Sequence, residues 1–155
     1  MSVSVFDHPV LSGLLGDGQI ASFFSIEAEL KAMLGFEAAL AAAEAEKGVI
    51  PEAAAKAIDK AIQSFQPDIE RLRHAAVRDG VVVPELVRQL RAEIGEPHAG
   101  HVHFGATSQD VIDTGFALRI DKALGLLQDR IDTMVARLGE LDRRDGAIPV
   151  MAHTR

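Results

Sequence analysis

Apolar residues at Ile26, Leu30, Met33 and Leu34, then Phe36 and Leu40, recur in the steps of one helix face and predict a helix from about Ala21 to Lys47. Gly48 is placed to cap it, and Pro51 opens a second, Ala-rich helix where its missing N–H costs nothing. Pro67 introduces a short helix through about Val77, Asp79-Gly80 makes a turn, and Pro84 begins a further helix that ends near Gly95. Val81-Val82-Val83 is the only strand-like stretch, and it is too short to define a sheet.

The pattern breaks at Glu96 to Gly105, EPHAGHVHFG, where His, Gly and Pro crowd together. A boundary there divides an amino-terminal helical domain, residues 1–104, from the start of a second, long-helix domain, residues 105–155. Beyond the boundary Ile120, Leu124, Leu127, Ile131, Met134, Leu138 and Leu141 keep steps of four and three, as in a bundle or coiled coil. A helix from Thr107 to Arg143 would be roughly 55 Å long. Short helices could not cover that stripe, so the expected partners are equivalent helices in a homo-oligomer.

Composition narrows the class. Apolar residues make up 48% of the chain, yet the only aromatics are seven Phe, and Ala and Leu supply much of the rest; the expected fold is all-α. A formal charge of -7 argues against nucleic acid as a partner. The absence of cysteine excludes disulfides, a thiol nucleophile and thiolate metal sites. Glu, Lys or Asp interrupts every Ala/Leu-rich run before the ~20 apolar residues of a membrane span are reached. The start, MSVSVFDHPV, lacks the regions of a secretory signal, so the cytoplasm is the expected compartment.

Candidate chemistry gathers in HFGATSQDVIDTG, His103 to Gly115, where a glycine loop meets the long helix. Thr107 and Asp110 have the spacing of a capping box, and capping alone would account for Thr107, Ser108 and Asp110. A helix start also presents unpaired N–H groups and partial positive charge, so with two hydroxyls and Gln109 it could bind a carboxylate.

HFGATSQDVIDT resembles the first signature region of the fumarase/aspartase superfamily, in the form used by its muconate cycloisomerase and adenylosuccinate lyase branches. LGFEAALAAAEAEKGVIP, Leu34 to Pro51, is similar to that family's opening helix and turn. The resemblance implies short amino-terminal helices leading into a tetrameric bundle of long ones. It also implies addition to, or elimination from, a double bond beside a carboxylate, through an aci-carboxylate-like intermediate. Thr107 and Ser108 would bind a substrate carboxylate, Gln109 and Asp110 would shape the pocket, and His103 would lie at its edge. In the cycloisomerase branch, one carboxylate of a tricarboxylate substrate closes a lactone ring in the protocatechuate branch of the β-ketoadipate pathway. That step needs no cofactor and no metal.

VMAHTR, Val150 to Arg155, resembles the start of the family's second signature, commonly Gly-Arg-Thr-His. Thr154 matches the Thr, His153 falls at the Arg position, and Arg155 stands where lyases carry their general acid/base His. The departure counts against an adenylosuccinate lyase and for a cycloisomerase, and it leaves the proton donor unidentified. The catalytic set implied is His103, Thr107, Ser108 and His153, with Gln109, Asp110, Thr154 and Arg155 binding substrate. The rest of that signature, and the family's Ser-rich third region, are not in these 155 residues, so the chain alone is expected to be inactive. Its heptad-like stripe by itself would equally suit a non-catalytic assembly module. His98, His101 and His103 could suggest zinc, but there is no cysteine and the family role accounts for His103, so His98 and His101 read as loop residues, as do His8 and His74. Arg143 and Arg144 read as a solvated helix end.

Overall fold

The computed structural model describes residues 4–149 and 151. Among them the chain is all-α: α1 (Ser12–Leu15), α2 (Gly18–Ser22), α3 (Ile26–Glu46), α4 (Glu52–Ser64), α5 (Ile69–Asp79), α6 (Val83–Ile94), a 3-10 turn (Ala99–His101) and α7 (Ser108–Asp145), with no strand. None of the described helices is long and apolar enough to cross a membrane.

The helix expected from Ala21 is in fact two. Asp17 caps α2 by accepting from the Gln19 and Ile20 amides, and Ser25 starts α3 afresh by accepting from Ala28 N at 3.2 Å. Two caps eight residues apart satisfy two sets of free amides, which divides the run more strongly than its apolar spacing joins it. The three valines form no strand either. Val83 opens α6 with Pro84 in its first turn, and its side chain is buried in the core.

α3 presents Leu30, Met33, Leu34, Glu37 and Ala41 to the interior and packs against both α4 and α7. α4 contributes Ala54 and Ile58, and α6 contributes Val83, Leu86, Val87 and Leu90. Full burial of one such aliphatic side chain stabilises by about 1.5–3 kcal/mol, so this cluster holds the short helices together. Polar contacts add orientation: Gln89 accepts from Asp68 N at 2.7 Å, and buried Glu85 pairs with Arg71 at 2.8 Å and with Arg88.

α7 spans 38 residues, roughly 57 Å. Its near half lies on α3 through Val111, Gly115, Arg119 and Ala123, one residue per turn. At Gly115 the two helices are close enough that an added Cβ would meet Ala32 and Met33 at 3.6 Å, an ordinary packing distance. Its far half carries Leu124, Leu127, Ile131, Met134, Leu138 and Leu141 exposed. Arg130 ties the amino-terminal segment to this helix, pairing with Asp17 and donating to Gln19 Oε1 at 2.6 Å.

Candidate active site

The connection from α6 to α7 is built around three left-handed residues, Gly95, His103 and Gly105, with φ of 69°, 57° and 69°. Glycine adopts this conformation freely, whereas histidine does so at a cost that its surroundings must meet. Two contacts pin the segment. Arg91 donates from Nη2 to the Val102 carbonyl at 2.8 Å, and His103 Nδ1 lies 2.7 Å from Glu37 Oε1 on α3.

At Thr107 the chain turns into α7 through the expected capping box. Thr107 Oγ1 accepts from Gln109 N at 3.1 Å, and the Asp110 carboxylate accepts from Thr107 N at 2.8 Å. Gln109 donates along the helix to Asp113 at 2.5 Å. The caps therefore occupy Asp110 and one lone pair of Thr107, while Ser108 faces another way.

Ser108 lines a cleft of about 330 Å³ together with His103, Arg88, Arg91, Pro84 and Val87. The volume sits at the small end of the ~300–1,000 Å³ usual for ligand sites, which suits a compact molecule. Arg88, Arg91, His103 and Ser108 at the helix start border it with Pro84 and Val87, while the Arg88 head pairs with Glu85 and Arg91 holds the Val102 carbonyl. Such a set suits a carboxylate, since the helix start favours negative charge and the arginines add positive field beside it.

The structure thus brings Ser108 and His103 into one cleft, and puts Thr107, Asp110 and Gln109 in the cap beside it. His153, Thr154 and Arg155 lie outside the described residues. Arg88, Arg91 and Glu37 were not singled out from the sequence. A signal existed for Glu37, which continues the Leu30, Met33, Leu34 spacing and is an acid where an apolar residue belongs. For the two arginines the only hint was a pair of cations three apart on one helix.

Burial pushes the Glu37 carboxyl above its usual range, opposed by His103 and Arg91 nearby. Burial likewise raises Glu44, one of whose oxygens is buried without a partner, with His101 pulling it back. His103 thus bonds Glu37 directly, whereas His101 acts on Glu44 through its charge. Among the described residues no cluster of three or more His, Cys, Asp or Glu is arranged to hold a metal ion. His8 accepts from the Val10 and Leu11 amides with its Nδ1 and closes a surface turn.

A family model described as a lyase matches residues 17–155. The chain belongs to the fumarase/aspartase family of lyases. Within that family it is 36% identical over 149 residues to a 3-carboxy-cis,cis-muconate cycloisomerase of Bradyrhizobium diazoefficiens, covering 94% of this chain and 33% of that protein. It is also 36% identical over 125 residues to an adenylosuccinate lyase of Methanocaldococcus jannaschii, covering 80% and 27%. The crystal structure of the 3-carboxy-cis,cis-muconate lactonizing enzyme from Pseudomonas putida superimposes with a TM-score of 0.86 at 33% identity, over 95% of this chain and 34% of that one. The chain spans about a third of the length of the curated relatives it matches.

Proposed function

We propose that the whole protein is a 3-carboxy-cis,cis-muconate cycloisomerase, in which the cleft at the start of α7 holds a substrate carboxylate. The observation that carries this reading is the convergence of Ser108, His103, Arg88 and Arg91 on one small cleft. In the reaction a carboxylate oxygen of the substrate attacks its own diene. One C–O bond forms, one C=C bond is lost, and an acid supplies a proton to the neighbouring carbon. Negative charge builds on the carboxylate conjugated to that carbon as the new bond forms. Donors fixed beforehand around it stabilise the transition state more than the ground state. Ser108 at the start of α7 supplies such a donor, Arg88 and Arg91 add charge, and Thr107 with Asp110 holds the helix start in place. The steps need no redox partner.

The domain of long helices, proposed to begin at Gly105, assembles with copies of itself. Its exposed leucines keep the steps of four and three that a second helix of the same pattern would fill. A homo-oligomer, a tetramer by resemblance, covers them. His153, Thr154 and Arg155 complete the substrate site in this reading, and the 155-residue chain by itself does not turn over substrate.

The adenylosuccinate lyase relative supports a second reading, elimination of fumarate from a nucleotide adduct. Incubating the whole protein with each substrate separates the two, because loss of the diene absorbance differs from fumarate release. The Ser108→Ala variant is expected to lower muconate turnover at least 100-fold with its oligomer intact. Turnover of adenylosuccinate alone would reverse the assignment, and near-normal turnover by the variant would leave Ser108 with only a place in the first turn of α7.

A further inference from the structure

We propose that Glu37 is a positioning residue that acts through His103: its buried carboxylate holds the imidazole by Nδ1–H and thereby presents Nε2 to the cleft. Glu37 is 2% exposed and stands on the packed face of α3, where Leu30, Met33, Leu34 and Ala41 are its neighbours in register. A carboxylate placed there loses its hydration, and a buried ion pair seldom recovers that loss relative to an apolar side chain of the same volume. One of its two oxygens has no hydrogen-bond partner. Stability therefore gives no reason for an acid at this position, whereas a 2.7 Å bond to an imidazole bordering the cleft gives one.

His103 shows the same priority. It is the only described residue other than glycine with positive φ, a conformation that is costly for a side chain and persists where neighbours over-determine it. The neighbours here are Glu37 on the ring and Arg91 on the preceding carbonyl. With Nδ1 held by Glu37, the opposite nitrogen is the one left for a ligand. Arg91 thus has two tasks, fixing the backbone of the segment and adding positive field beside Glu37.

This inference rests on reading the cleft as a carboxylate site, and two arms of its test separate the two ideas. In the ¹⁵N-histidine-labelled chain, two-bond proton–nitrogen correlation is expected to show His103 protonated at Nδ1, with Nε2 shifting as tricarballylate is added. An Nε2–H tautomer with bare Nδ1 overturns the proposal whatever the substrate. In the whole protein, Glu37→Gln keeps the volume and removes the charge, and is expected to raise KM for the muconate about tenfold while kcat falls less. In a His103→Gln background the same change is expected to add almost nothing, because Glu37 has lost the group it acts through. Full additivity of the two losses, or an unchanged KM with an unchanged His103 nitrogen pattern in Glu37→Gln, overturns it. If the muconate is not a substrate at all, the functional reading falls, and the nitrogen spectra still decide the role of Glu37.

Discussion

The two halves of α7 are one continuous helix with opposite surroundings. From Val111 to Ala123 its inward residues are small or polar, and they are covered by α3. From Leu124 to Leu141 its stripe is made of large aliphatic residues, and they are bare. The near half makes its contact with modest side chains because α3 lies close beside it, within 3.6 Å of where a Cβ on Gly115 would stand. The far half carries bulk that nothing among the described residues receives. An exposed row of that size is more than a monomer ordinarily tolerates, which is why we assign it to a second copy.

Several changes would break or sharpen this contrast. The largest effect is expected from Ile131→Glu combined with Met134→Glu, which puts charge in the middle of the bare stripe. Sedimentation should show the oligomer replaced by monomer, while helical content in the near half stays normal; an intact oligomer would show that the stripe is not the interface. Next in size is Leu90→Ala in the covered core, expected to cost about 2–5 kcal/mol in denaturant unfolding. Leu138→Ala on the bare half should change the same measurement in the dissociated chain by less than about 0.5 kcal/mol. Equal losses for the two would mean that the far half is already packed within one chain.

Thr107→Ala opens the capping box and is expected to cost about 1 kcal/mol of stability, read from the thermal midpoint. The smallest effect concerns the clasp between Asp17 and Arg130. The Arg130 hydrogen bond is the main cause that holds the Asp17 carboxyl at about 2, against an ordinary 3.8. A depressed acid stabilises above its unfolded value and loses that contribution as pH falls through its folded one. Amide exchange in α2 should therefore be slower in the native chain than in Asp17→Asn above about pH 4, with the two converging near pH 2. A difference that persisted at pH 2 would assign the protection to something other than the ion pair.

The fold was legible wherever a residue acts on its own backbone. Pro51, Pro84, Gly80 and Gly95 mark helix limits through φ alone, and Thr107 with Asp110 marks the start of α7 through hydrogen bonds three residues apart. The break at Ser25 was missed because apolar spacing runs across it, and only the choice of cap decides where amides are satisfied. The site was legible in part for the same reason. Ser108 and His103 belong to one contiguous segment, but Arg88 and Arg91 reach it from α6 and Glu37 reaches it from α3. Their convergence depends on helix packing, which periodicity does not encode. Glu37 left the clearer trace, as an acid in an apolar register.

The stiffness of α7 makes it a lever arm. The cleft is mounted at Ser108, and the middle of the bare stripe, near Ile131, lies about 23 residues away, or roughly 35 Å along the axis. A pivot of 2° at that point swings the cleft by about 1.2 Å, and misplacement on that scale can cost roughly 100-fold in rate. Whatever grips the far end therefore calibrates the aim of the near end. Small changes in how copies seat against one another would act on turnover without touching any residue that meets the substrate.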